Sequence, residues 1–314
     1  MDSEEKYWDT GEGVWRSVTL RPDIRLTKQR ARIWALVLDS RFIPCCIKPD
    51  GSDWQLLVPP EHLESARSEL TLYEENNRFW PPPLPVARTL IKNTLPTVSV
   101  LILLATFHNL TLLGLSIPDH GIIDINEIGA AHALKILEGQ WWRLVTSLTL
   151  HADFIHLLSN LLIGGVFITL ICRELGSGLA WSLLLASGIL GNLMNALLQS
   201  PNHRSVGAST AVFGAVGLMA AISAVRYRQH LKKRWFIPVA AGLAILAILG
   251  TEGEHTDLGA HLFGFVAGMI LGLFAEHFTG KFGCPGRLLN ALLASVAITV
   301  VMVAWWAALE SCLR

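Results

Sequence analysis

Charge is scarce in this chain. Only 16% of its 314 residues are Asp, Glu, Lys or Arg, and 25 basic side chains balance 25 acidic ones. A soluble domain carries about 25% charged residues. With 52% hydrophobic residues and a mean hydropathy of +0.44, this chain suits a bilayer better than water. It has no net positive charge and no basic cluster interleaved with aromatics, which argues against nucleic acid as a partner. The five cysteines (Cys45, Cys46, Cys172, Cys284, Cys312) form no CxxC pair, so neither a disulfide framework nor a zinc knuckle is expected. HExxH is absent, which removes the usual signature of a zinc protease, and no metal or cofactor is expected. The start, MDSEEKYWDT, is acidic where a secretory signal would be basic and then apolar, so no cleaved signal is expected.

Most acidic side chains lie before about residue 85, and residues 1–85 read as a small soluble α+β module. WALVLDSRFIPCCIK and WQLLVPP are expected to be strand-rich, joined by a turn at Pro49-Asp50-Gly51-Ser52. PEHLESARSELTLYEEN is expected to be a polar helix with Pro60 at its start. FWPPPLP then excludes helix and favours extended polyproline II, marking the domain boundary. Beyond it, residues 86–314 contain seven apolar runs, at about 95–117, 154–172, 178–199, 207–226, 235–250, 257–276 and 289–309. A hydrocarbon core about 30 Å thick takes roughly 20 helical residues. The runs lack the alternation of a barrel, so they are expected to be helices. The expected fold is therefore an all-α polytopic membrane protein.

Positive charge sets the expected orientation. Arg226, Arg228, Lys232, Lys233 and Arg234 follow the fourth run, and Lys281 and Arg287 follow the sixth. Arg88, Lys92 and Arg173 fall on the same side, whereas the other side has only Lys135, Arg143, Arg204 and Arg314. The positive-inside rule then puts the N-terminus in the cytoplasm, and the starts of the fourth and sixth helices near the outer face.

Polar side chains inside such runs are costly and are candidates for function. His156 and Asn160 share a face of the second helix; Ser209 and Phe213 share one of the fourth. His261, Gly264 and Gly268 form a stripe on the sixth, where the glycines favour close helix packing. Taken singly, each has a structural reading: serine bonded back to a carbonyl, histidine paired across helices. Together, at matching depth, they suggest nucleophilic catalysis, in which an imidazole takes the serine proton. Unpaired N–H groups at the start of the fourth helix, with Asn160 and His156, are the expected oxyanion donors. Asp257, one turn before His261, fits either a third triad member or a helix cap. Glu252, Glu254 and His255 are assigned to a solvated external loop.

The pieces QWWR (Gln140 to Arg143), HADFIHLLSN (His151 to Asn160), GASTAVFG (Gly207 to Gly214) and AHLFGFVAG (Ala260 to Gly268) resemble, in order and spacing, the rhomboid family of intramembrane serine proteases. The likeness covers roughly residues 90–310. It implies a six-helix core, followed here by a seventh C-terminal transmembrane helix, with the N-terminal module outside the family core. It further implies Ser209 as nucleophile, His261 as general base, His156 and Asn160 as oxyanion stabilisers, and Phe213 as the ring stacked on His261, where tyrosine is common in the family. Trp142 and Arg143 would organise the external loop, and His151 is assigned a scaffolding role. The implied activity is a serine endopeptidase that cuts transmembrane segments of membrane-protein substrates near the outer face.

Other readings compete. A metalloprotease built from His151, His156, His255 and His261 fits poorly, because a spacing of five turns His151 and His156 about 140° apart on a helix. A catalytically inactive relative that binds and escorts transmembrane helices is the alternative; such a protein is expected to lack the serine or the histidine. A transporter is disfavoured by the lack of inverted repeats. The expected location is a cell membrane, preferably a bacterial inner membrane. For the N-terminal module, regulation, self-association and recruitment of a cytoplasmic partner all stay open.

Overall fold

The computed structural model describes residues 15–20, 26–78, 90–91, 95–113, 115–117, 121–231, 234–250 and 256–313. The chain divides into two compact units, Met1–Pro83 and Leu84–Arg314. The proline run and the loop holding Glu252, Glu254 and His255 lie outside the described residues.

In the first unit, β1 (Arg16–Ser17), α1 (Lys28–Asp39), β2 (Cys46–Asp50), β3 (Asp53–Val58) and α2 (Leu63–Asn77) follow one another. The antiparallel sheet has the order β1-β3-β2, and Asp50 pairs with Asp53 across a two-residue loop in which Gly51 has φ 61°. The expected hairpin is present. WALVLD, however, is helix and not strand. Its period becomes visible only with the polar residues before it: Ala31, Trp34 and Leu38 are buried on one stripe, and the Thr27 hydroxyl accepts from the Arg30 N–H to start the helix. That stripe packs with Leu56, Val58, Ala66 and Leu70 into a small core.

Among the described residues of the second unit, six helices are long and apolar enough to cross a membrane. The first three are α3 (Leu95–Leu113) and, after β4 (Leu115–Ile117), β5 (Gly121–Ile123), α4 (Ile125–Gly129), β6 (Ala131–His132), α5 (Ala133–Leu137) and α6 (Arg143–Thr146), α7 (Phe154–Leu175) and α8 (Ser177–Leu198). β7 (Arg204–Ser205) leads into the fourth, α9 (Ser209–Arg226); after the short α10 (Arg228–Leu231) and α11 (Ile237–Leu249), α12 (Leu258–Phe282) and α13 (Arg287–Leu313) are the last two. The first span ends at Leu113, not 117, where the chain turns into the β4–β5 pair. The run at 235–250 yields only the 13-residue α11, begun by Pro238 and stopped at Gly250.

α9 is the central helix, sheathed by α7, α8, α11 and α12, and 67% of its apolar window is buried. Glycine makes this possible. A Cβ at Gly264 would fall 2.1 Å from the Thr210 carbonyl oxygen, one at Gly268 2.0 Å from that of Gly214, and one at Gly217 2.1 Å from that of Phe265. Backbones of α9 and α12 therefore touch directly, the close approach that small residues permit between membrane helices. At the far end of α9, Arg226 joins Glu174 of α7 and Glu276 of α12 at 2.5 and 3.1 Å. α13 is fixed along α8 and the outer loop: Asn290 accepts from the Leu179 N–H, Ser182 donates to the Leu293 carbonyl, and the Trp305 indole donates to Thr149.

Candidate active site

Arg143 organises the segment between α3 and α7. It is 4% exposed and donates to the carbonyls of Glu127 and Ala130 and to Gln140 Oε1, at 2.9, 2.8 and 2.6 Å. Its planar fork satisfies carbonyls that water would otherwise have to reach. Trp142 packs with Ile123, Ile128 and Ala308 in a cluster that also takes in Trp305. β6 of this segment pairs with β7, and Glu127 bridges Lys135 and Arg204. Hydrogen bonds from Lys135 and Arg204 hold the Glu127 carboxyl down at about 2. The strand that leads to Ser209 is thus tied to the loop before α7.

Ser209 is the first residue of α9, so the N–H groups of the first turn have no intrahelical partner and carry the positive end of the helix dipole. Gly207 precedes it at φ 138°, a conformation that favours glycine. A Cβ there would lie 2.7 Å from His156 Nε2 and 3.2 Å from Ser209 Oγ. The gap between the His156 ring and the serine hydroxyl exists because residue 207 has no side chain. Gly207 N–H itself is spent on the Ser147 carbonyl at 2.9 Å.

His261 sits one turn into α12 with its Nε2 2.7 Å from Ser209 Oγ and its Nδ1 3.0 Å from the Gly250 carbonyl oxygen. A carbonyl only accepts, so Nδ1 carries the proton and Nε2 is left with a lone pair directed at the serine hydroxyl. Phe213, one turn above Ser209, lays its ring against the imidazole, with centroids 4.6 Å apart and planes tilted by 38°. Both rings are buried.

The other expected residues lie nearby, with differences. His156 stands on the first turn of α7, which Asp153 caps by accepting the His156 N–H at 2.7 Å. Asn160 donates one amide hydrogen to the His156 carbonyl at 2.9 Å, back along its own helix. His151, in the loop before α7, meets His108 and His156 edge-on at 6.2 and 5.5 Å between centroids. Burial first, then His156 and His108, push its imidazole down to about 3, so it stays neutral. Among the described residues no group of three or more His, Cys, Asp or Glu side chains is arranged to hold a metal ion.

Asp257 does not contact His261 with its carboxylate. Oδ1 caps α12 by accepting the Ala260 N–H at 3.0 Å, while Oδ2 accepts from Asn195 Nδ2 at 2.6 Å and from His203 Nε2 at 2.7 Å. Burial raises the carboxyl, but the bonds from His203, Ala260 and Asn195 outweigh it and hold the group below the usual aspartate range. Of the two sequence readings of Asp257, the cap is the one present in the structure. His203 and the Gly250 carbonyl went unnoticed in the sequence, since both lie in connecting segments without a pattern. Asn192 and Asn195 did leave a signal, two amides three apart in the apolar run GNLMNALL; Asn192 donates to the Leu144 carbonyl and to Ser147 Oγ. A cavity of about 10 Å³ beside Ser209 is lined by Ser147, Asn192, Ser205, Gly207, Asp257 and Ala260, among others. That volume is about what one water molecule requires.

The Rhomboid domain family matches residues 138–277, which hold Ser209, His261, Phe213, His156, Asn160 and Arg143 but not His108, Glu127 or Lys135. The Bacillus subtilis (strain 168) protein YdcA is 31% identical over 157 residues, covering 50% of this chain and 78% of its own length. The chain belongs to the rhomboid family. Other rhomboid relatives include Rhomboid-like protease 3 of Toxoplasma gondii, 40% identical over 151 residues, and the rhomboid protease GluP of Bacillus subtilis, 29% identical over 174 residues. The matches cover 55% and 33% of those two proteins and 46% and 55% of this chain. The N-terminal unit and α13 of this rhomboid fall outside the matched domain.

Proposed function

We propose that this rhomboid is an intramembrane serine endopeptidase in which Ser209 and His261 form the catalytic dyad. The observation that carries the reading is the 2.7 Å contact between Ser209 Oγ and a His261 Nε2 whose tautomer is fixed by Gly250. The serine attacks a peptide carbonyl as its proton passes to Nε2, and the imidazolium then protonates the leaving amine; water hydrolyses the acyl-enzyme by the same path in reverse. The developing oxyanion is held by the N–H groups at the start of α9, by His156 across the gap left by Gly207, and by the remaining amide hydrogen of Asn160. Phe213 keeps the imidazole in place.

The substrate is a transmembrane segment of another membrane protein, cut near the outer face, with the N-terminal module in the cytoplasm and a bacterial inner membrane as location. A helical peptide bond is shielded by its own hydrogen bonds, so residues of weak helix propensity near the cut are favoured.

The test is cleavage of a designed single-span substrate in liposomes by wild type, Ser209→Ala and His261→Ala. Each variant is expected to lose activity by about a thousandfold or more. Full activity in either would end the dyad assignment, and binding of the span without product by the wild type would favour the escort reading.

A further inference from the structure

Three polar side chains meet beside the dyad without touching it. Asp257 opens α12, Asn195 is on the last turn of α8, and His203 lies in the segment between α8 and α9, six residues before Ser209. We propose that Asp257, with Asn195 and His203, is a positioning clamp that sets the distance between Ser209 and His261. The proposal rests on the dyad reading above and deepens it.

The clamp joins the two chain segments that carry the dyad. On one side, the Asp257 carbonyl accepts the His261 N–H at 3.0 Å, so the cap and the imidazole belong to the same helical turn. On the other, His203 is anchored through its backbone, its carbonyl accepting the Ala133 N–H at 3.0 Å, and β7 follows directly and runs into Gly207 and Ser209. A single carboxylate oxygen bonded to both Asn195 and His203, at 2.6 and 2.7 Å, therefore ties the imidazole turn to the serine segment and to α8. Charge-assisted bonds of this kind are about twice as strong as neutral ones.

Gly259 is an independent sign that the junction is built for close approach. A Cβ there would fall 2.4 Å from Asn195 Oδ1 and 3.0 Å from Gln199 Nε2, so any larger residue would displace the Asn195 amide that reaches Asp257. The end of α11 and the start of α12 hold His261 between them: Gly250 fixes its tautomer, Asp257 its depth. Beside the dyad contact itself, the Asp257–His203 bond is a second polar side-chain link from the first turn of α12 to the serine segment.

The experiment uses the full chain in detergent with Asp257→Ala, Asp257→Asn, His203→Ala and Ser209→Ala. It reads kcat and KM on a single-span substrate, the rate at which a fluorophosphonate labels Ser209, and the thermal midpoint. A misplacement of about 1 Å costs roughly 100-fold in rate, so Asp257→Ala is expected to lower kcat and labelling together by about 10- to 100-fold, with KM within about twofold. Asp257→Asn keeps an oxygen for the Ala260 N–H but puts an amide donor where Oδ2 accepted from Asn195 and His203, so it retains the cap, loses the clamp, and is expected to slow labelling about three- to tenfold, as His203→Ala does. His203→Ala removes one bond from a partly exposed side chain; it is expected to slow labelling about three- to tenfold at an unchanged midpoint, and it decides the matter should Asp257→Ala fail to fold. Wild-type labelling in His203→Ala, or a loss confined to KM, overturns the clamp. An active Ser209→Ala would instead sink the dyad reading; an inert Ser209→Ala beside a fully active Asp257→Ala sinks only the clamp.

Discussion

The contact between α9 and α12 makes Gly268→Ala a severe perturbation despite adding one methyl group. The new Cβ would lie 2.0 Å from the Gly214 carbonyl oxygen and 2.8 Å from its Cα, both backbone atoms that cannot rotate away. An ordinary carbon–oxygen approach is about 3.3 Å, so the helices must part locally by about 1.3 Å. Gly268 is seven residues from His261, about 10 Å along the axis, close enough for most of that displacement to reach the imidazole. The Ser209–His261 contact, now 2.7 Å, then lengthens toward about 4 Å and ceases to be a hydrogen bond. Overpacking of this kind costs about 1–3 kcal/mol in stability, and a shift near 1 Å costs about 100-fold in rate. The assay is kcat/KM on a single-span substrate, with Gly280→Ala as control. Gly280 is on the same helix and has nothing within 4 Å of where its Cβ would be; alanine there is expected to be neutral, or more stable by up to about 1 kcal/mol. A Gly268→Ala protein with activity within twofold of wild type and an unchanged unfolding midpoint would refute the reasoning.

Two further predictions concern regions away from the dyad. Arg143→Ala leaves the Glu127 and Ala130 carbonyls without their buried donor and is expected to cost about 2–4 kcal/mol in equilibrium unfolding in mixed micelles; Arg143→Lys should recover little of it, because a point ammonium cannot reproduce the fork. In the N-terminal unit, Glu74 accepts from Arg30 and from the Trp34 indole, and these bonds outweigh the effect of burial, so its carboxyl lies below the usual value of 4.5. A depressed folded value means that the stabilisation is complete above the unfolded value and is lost as pH falls through the folded one. The protection factors of α1 and α2, exchange rates taken relative to the intrinsic rate at each pH, are therefore expected to fall in acid in the wild type and to change less with pH in Glu74→Gln; identical profiles would contradict this.

The membrane helices were legible because a continuous apolar run leaves the backbone few options, and because Ser209, Phe213, His261, Gly264 and Gly268 fall at helical spacings that put them on common faces. α1 was not legible from WALVLD, since a short apolar run fits a strand or a helix equally well and only the cap at Thr27 and the stripe from Ala31 decide it. The fifth run was legible as short, and the structure trims it to the 13 residues of α11 because Pro238 fits only the first turn and Gly250, followed in sequence by Thr251-Glu252-Gly253-Glu254, ends it. The partners of Asp257 were beyond reach in another sense. Asn195, His203 and Asp257 are up to 62 residues apart in sequence, and nothing local in any of them specifies the meeting.

The way His261 is oriented suits its surroundings. An aspartate on Nδ1 would fix the tautomer and stabilise the imidazolium, but in a helix bundle its charge must be taken out of water, at a cost of several kcal/mol unless other bonds offset it. A backbone carbonyl fixes the same tautomer with no net charge, and Gly250 supplies one at 3.0 Å. The carboxylate of Asp257, one turn before His261, is turned away toward three donors, a helix N–H, an amide and an imidazole. Its charge is thereby offset, and the helix end that it caps carries a positive dipole that favours it there. The proposed dyad and clamp separate two tasks that a triad gives to one residue: a neutral carbonyl selects the tautomer, and a charged carboxylate, one turn away, fixes the position of the helix. A side chain at 250 would set its Cβ 2.4 Å from the Leu246 carbonyl oxygen and 3.2 Å from the Phe213 ring that packs on His261, so Gly250→Asp is expected to disrupt the site rather than create a working triad.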